Sequence, residues 1–148
     1  MIKEFQKEYR FLSNFWPCTI ELDGWQYACL ENAYQAAKTF NPAYRVRFSS
    51  PHLKPWEAKS RGRQIPLRED WEAVKLKIME ELVRYKFTAH EELKEKLLAT
   101  GEQILQEGNM WNYTFWGVDL KTGKGENNLG KILMSLREEL KRSKKVLS

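Results

Sequence analysis

Two residue types on which much protein chemistry depends are scarce in this chain: its 148 residues include two histidines and two cysteines. His52 and His90 lie far apart, with no further His or Cys at ligand spacing, so no structural or catalytic zinc site is expected. A Ser/Cys-His-Asp triad can be assembled from Cys29, His52 and one of three aspartates, but neither spacing nor turn chemistry supports it. Small buried thiols are the simpler reading. Cys18 and Cys29 are the one possible pair, and residues 1–10 carry no export signal, so two reduced thiols and a cytoplasmic location are expected. Long apolar runs are also missing. The longest cover a few residues, against the ~20 needed to cross a bilayer, so no membrane partner is expected. With no internal repeat, low-complexity tract or long linker, the length points to one domain over 1–148.

What is present excludes disorder as the main description, because 42% of residues are hydrophobic and 13% aromatic, enough to build a core. The formal charge is +5, and residues 137–148 alone hold five basic and two acidic side chains. Most of the excess is therefore a basic tail from about residue 141, which by itself is weak support for a nucleic-acid partner. The six tryptophans are more informative, since flat rings serve both cores and base- or sugar-binding pockets.

The strongest local signal is Thr19-Ile20-Glu21-Leu22, then Asp23-Gly24, then Trp25-Gln26-Tyr27, which predicts a β hairpin. Apolar spacing then changes to three and four, predicting a helix over 31–40 that Asn41-Pro42 ends. Pro55 opens a short helix with Gly62 at its stop. Asp70 opens a long helix with Trp71, Val74, Ile78, Leu82 and Tyr85 on one stripe. Residues 91–99 give another that ends at Gly101, and Leu129, Ile132, Leu133, Leu136 and Leu140 mark the last. The expected fold class is mainly α, a compact helical domain with a small N-terminal β hairpin.

Residues 125–131 fit G-x-x-x-x-G-K, but Ile132 stands where a triphosphatase needs a hydroxyl for magnesium, and 119–122 make a poor buried strand. The remaining physical content is a loop of glycines with Asn127 and Asn128 leading into a helix beside Lys131. Such a loop can hold a phosphate, or the asparagines can simply cap the helix. On the 31–40 helix, at roughly 100° per residue, Glu31, Gln35 and Lys38 fall on one polar stripe, with Ala33, Ala36, Ala37 and Phe40 opposite. The stripe is either a wet face or one wall of a pocket.

Eight segments carry a resemblance in order along nearly the whole chain. They are 11–17 (F-L-S-N-F-W-P), 31–38 (E-N-A-Y-Q-A-A-K), 58–63 (A-K-S-R-G-R), 67–71 (L-R-E-D-W), Lys86-Phe87, 98–101 (L-A-T-G), 115–117 (F-W-G) and 128–134 (N-L-G-K-I-L-M). Together they resemble the NADAR, or YbiA-like, N-glycosidase family. The resemblance implies a mostly α fold and hydrolysis of a bond between a ribose carbon and a base or amine nitrogen, without metal or redox cofactor. Known substrates in the family include a phosphoribosylamino-pyrimidine intermediate of riboflavin synthesis and ADP-ribose attached to guanine in nucleic acid.

Breaking such a bond builds positive charge on the ribose, so the resemblance makes Glu31 the carboxylate that stabilises this charge or activates water. Lys38 is the second catalytic candidate, as a hydrogen-bond donor to the leaving base, a phosphate ligand or an amine nucleophile. Candidate substrate-binding residues are Asn14, Phe15, Tyr34, Gln35, Arg61, Arg63, Trp71, Trp116, Gly117, Asn127, Asn128 and Lys131. Among them Arg61 and Arg63 suit phosphate, and Trp71 and Trp116 suit stacking, with surface pairing and core packing as the respective alternatives. The sequence departs from the family pattern twice. Tyr113 stands where many relatives have an aspartate, which implies another acid such as Asp119, a different substrate or a weakened activity, and Asn32 stands where a histidine is common. Three readings stay open: a hydrolase of small phosphoribosyl or ADP-ribosyl molecules, the same hydrolase on ADP-ribosylated nucleic acid, and a module that binds ADP-ribose or a nucleotide without turnover.

Overall fold

The computed structural model describes residues 1–147, with side-chain surroundings through residue 145. Helices dominate, and the one sizeable β element is the expected N-terminal hairpin. The chain divides into two compact units, Asn14–Ala89 and Met1–Ser13 together with the chain from His90 onward.

In the first unit the hairpin pairs β1 (Pro17–Leu22) with β2 (Trp25–Cys29), in the register Ile20 with Tyr27 and Leu22 with Trp25. Asp23 and Gly24 have φ of 51° and 84°, two successive left-handed residues that match the natural twist of the strands. Ile20 and Tyr27 face inward and are buried. The chain passes from Cys29 directly into α1 (Leu30–Ala36), and the backbone N–H of Glu31 is held by the Asn14 carbonyl at 3.0 Å. Helix α2 spans Pro42–Phe48, α3 spans Pro55–Gly62 and α4 spans Trp71–Ala89.

Two sequence expectations are corrected here. Helix α1 stops at Ala36 and tightens into a turn, and Phe40 is 65% exposed instead of packing with the alanines. The cause is downstream, where Asn41 must be extended to cap α2, accepting the Ala43 N–H at 2.9 Å ahead of Pro42, and a residue before proline resists helical geometry. Phe40 instead lies against the Arg68 guanidinium, 3.9 Å from its ring centre. In α4 the buried face is Trp71, Met79, Leu82, Val83, Lys86 and Phe87, with Val74, Ile78 and Tyr85 only half-buried. From Met79 onward that face follows a three-and-four repeat containing a lysine, which a reading by hydropathy places outside.

In the second unit α5 (Glu91–Ala99) ends before Gly101, whose φ of 68° requires no side chain. Helix α6 (Asn128–Leu147) buries Leu129, Leu133, Leu136 and Leu140. It also ties the end of α5: Arg137 donates to the Thr100 hydroxyl at 2.9 Å and Lys141 to the Gly101 carbonyl at 2.6 Å, two cations where the α5 dipole is negative. Short parallel strands β3 (Gly108–Asn109) and β4 (Val118–Asp119) pair in the same unit. Among the described residues no helix is long and apolar enough to cross a membrane.

Candidate active site

The polar stripe of α1 is not a wet face. Glu31 is 7% exposed and Gln35 is 3% exposed, one turn apart, and the Gln35 amide donates to the Glu31 carboxylate at 2.9 Å. Three cations act on that carboxylate: Lys59 of α3, Lys38 in the turn after α1, and Arg63 at the end of α3. Burial pushes the Glu31 carboxyl above its ordinary range, while the Gln35 hydrogen bond and the three cations pull it back. Burial likewise pushes the Lys38 amine below its ordinary value, against the attraction of Glu31. Both groups are thereby moved toward neutrality, the condition in which protons pass readily near neutral pH.

An aromatic wall borders this cluster. The rings of Tyr34 and Trp71 are 5.2 Å apart and tilted by 55°, and the Lys38 ammonium lies 5.9 Å from the Tyr34 ring. Asn14 contributes its backbone carbonyl to Glu31 and turns its side chain toward the Met79 sulfur at 3.6 Å. Phe15 is 40% exposed. Of the two arginines expected at a phosphate, Arg63 acts on Glu31. Lys59, one helical turn before Arg63, also acts on Glu31 and was not among the candidates read from the sequence. Asn32 is a structural residue, donating to the Leu53 carbonyl at 3.1 Å and accepting from the Cys29 thiol at 3.3 Å. The side-chain hydrogen bond to Glu31 comes from Gln35.

The remaining candidates belong to the second unit. Trp116 packs edge-on against Phe115 at 4.7 Å. Gly117 is buried where a Cβ would collide with Glu107. Asn127 accepts from the Glu107 N–H at 3.0 Å and donates to the Leu105 carbonyl at 2.9 Å, and Asn128 donates to the Phe115 carbonyl at 2.9 Å. The backbone N–H groups of Asn127, Asn128 and Leu129 go to carbonyls of residues 115–117. Both asparagine side chains thus bond to the backbone of Leu105, Glu107 and Phe115 and tie that segment to the start of α6, while Lys131 is exposed. Asp119 is buried and accepts from the Lys121 N–H at 2.9 Å. Tyr113 sits on a loop organised by Asn109, whose side chain accepts from Trp111 and Tyr113 N–H groups and donates to the Tyr113 carbonyl and the Glu107 carboxylate. Asn109 escaped the sequence reading because nothing local distinguishes a buried asparagine from a turn residue.

A desolvated carboxylate among cations and beside packed aromatic rings is the equipment of a hydrolase that stabilises positive charge developing on a sugar, that is, of a glycosidase. The NADAR domain family matches the chain over residues 2–141. The chain is 40% identical over 136 residues to N-glycosidase YbiA of Escherichia coli K12, covering 90% of this chain and 82% of that one. It is 38% identical over 137 residues to N-glycosidase Npun_R5314 of Nostoc punctiforme, covering 90% and 86%. It is also 37% identical over 142 residues to riboflavin biosynthesis protein VVA0006 of Vibrio vulnificus, covering 93% of this chain and 37% of that larger one. The NMR structure of E. coli YbiA superposes with a TM-score of 0.82 at 35% identity, covering 97% of this chain and 89% of that one. The chain belongs to the NADAR family and is a hydrolase of the N-glycosidase kind.

Proposed function

We propose that this N-glycosidase cleaves the bond between nitrogen and the anomeric carbon of a phosphorylated ribose, as in a phosphoribosylamino-pyrimidine. The observation that carries the proposal is the buried Glu31 carboxylate, held by the Gln35 amide at 2.9 Å and set among Lys38, Lys59 and Arg63. A group of cations gathered about one buried carboxylate is in keeping with an anionic substrate. The riboflavin-biosynthesis name of the Vibrio relative is in keeping with that choice.

In this reading Glu31 faces the anomeric carbon, lowers the energy of the oxocarbenium-like ribose and draws a proton from the attacking water. Lys38, its amine already depressed by burial, donates to the departing nitrogen. Arg63 and Lys59 hold phosphate, Arg63 by paired hydrogen bonds and Lys59 as a point charge. Tyr34 and Trp71, a tilted pair of rings, border the place of the base or ribose.

The test is a mass-spectrometric product assay with wild type and Glu31→Gln, on a phosphoribosylamino-pyrimidine and separately on an oligonucleotide carrying ADP-ribosyl guanine. Release of ribose phosphate from the first by wild type, reduced at least ~10²-fold in the variant, is the expected result. Near-normal turnover by Glu31→Gln removes Glu31 from the mechanism. Release from the oligonucleotide alone transfers the substrate to nucleic acid, and binding of ADP-ribose without release from either makes the chain a binding module. The pH profile of kcat/KM should be a narrow bell, its acid limb above the ordinary glutamate range and its alkaline limb below the ordinary lysine range. Loss of the alkaline limb in Lys38→Ala is the expected signature of Lys38 as acid.

A further inference from the structure

We infer that Gln35 is a positioning residue that holds the Glu31 carboxylate in one orientation, and that Gly62 is glycine in order to make room for it. The inference rests on the reading of Glu31 as the catalytic carboxylate and goes beyond it, because Gln35 then acts on the enzyme's own acid and not on substrate.

Three observations converge. The Gln35 amide nitrogen donates to Glu31 Oε1 at 2.9 Å from one turn along the same helix. The other end of that amide, Oε1, is buried with no hydrogen-bond partner among the described residues. Buried amides normally satisfy both ends, so tolerance of the orphan oxygen marks the nitrogen's contact as the one retained. Finally, a Cβ built at Gly62 would overlap the Gln35 side-chain oxygen and carbon. Gly62 lies in the last turn of α3 and has no left-handed backbone that would call for glycine. The side chain is missing there because the Gln35 amide occupies its space.

The amide is thereby clamped between the carboxylate on one side and the α3 backbone on the other. Reversing it would set its oxygen against the ionised Glu31 oxygen, so the clamped arrangement favours the charged form of Glu31. The other groups acting on Glu31 are Lys38 after α1 and Lys59 and Arg63 of the α3 segment, with Glu31 acting on the Cys29 thiol that precedes α1 and Lys75 of α4 on Lys38. All of them remain when Gln35 is changed.

The experiment compares wild type, Gln35→Ala, Gln35→Asn, Gly62→Ala and the double variant Gln35→Ala/Gly62→Ala, with Glu31→Gln as control. It follows kcat and KM on the substrate that wild type turns over, thermal unfolding, and the pH titration of the Glu31 side-chain carboxyl carbon by NMR, which needs no substrate. Loss of a hydrogen bond to a charged group predicts about 10- to 100-fold lower kcat in each single variant with KM little changed. Losing the donor also disfavours the carboxylate, so the Glu31 titration and the acid limb move to higher pH. The double variant should be no worse than Gln35→Ala, because with the amide gone the methyl at position 62 has nothing to displace. Defects that multiply in the double variant, or a Glu31 titration unmoved in Gln35→Ala and Gln35→Asn, overturn the inference. Should Gly62→Ala fail to fold, those two Gln35 variants decide it by the titration alone. An active Glu31→Gln defeats the catalytic reading itself, whereas an inactive Glu31→Gln beside unperturbed Gln35 variants defeats only the positioning role.

Discussion

Lys86 shows how one side chain sets the pH response of a fold. It is fully buried in α4, 5.1 Å from the Phe87 ring, and burial lowers its amine from 10.5 to about 8 although Cys18 and Cys29 draw it upward. The folded chain therefore releases this proton before the unfolded chain does, so between pH 8 and 10.5 the unfolded state binds more protons and stability rises with pH. Below that window the charged amine opposes folding in full, by on the order of 3 kcal/mol. Relative to Lys86→Met, wild type should gain stability as pH rises from 8 to 10.5, measured as the difference between the two thermal midpoints. A difference that stays constant with pH would show that Lys86 carries no shifted proton. Cys29, pushed by burial up to about 11, is by the same logic a weak nucleophile near neutrality, in agreement with its reading as a small buried thiol.

At the scale of elements, the best-specified piece is the hairpin, because its turn chemistry is local. Asp23-Gly24 demands two left-handed residues and the sequence supplies residues that tolerate them. Gly24→Ala should cost about 1–2 kcal/mol, read in a denaturant titration, whereas Asn41→Ala should cost about 1 kcal/mol through the lost α2 cap. The ends of α5 and the leucine face of α6 were legible for the same reason, being fixed by a glycine and by spacing. Less legible was anything settled by a partner element. Helix α1 reads as running to Phe40 until Asn41 is seen to be committed to α2, and α4 reads as turned by about one position until Lys86 is allowed inside. In the site, Glu31 and Lys38 stood out on one stripe and in the family pattern. Lys59 did not, since its importance depends on α3 packing against α1, and Gln35 could be listed but not given its role without Gly62 beside it.

For the molecule as a whole, charge is the property that separates the candidate substrates. Arg142, Lys144 and Lys145 are exposed at the end of α6, with Lys144 3.8 Å from Glu95. Leu140 and Lys141 are built into the second unit, so truncation after Lys141 removes the tail without opening the core. Turnover of a small phosphoribosyl substrate should survive that truncation and vary little with salt, whereas action on a nucleic acid should weaken in the truncated chain and fall steeply as salt rises. Helix α4 offers a different use of its buried amine. While α4 lies against β1 no amine-directed reagent can reach Lys86, so each modification event there records one excursion in which the helix leaves the hairpin. Under a reagent in excess, the labelling rate at this one position becomes a clock for local opening, read by peptide mass and independent of any substrate.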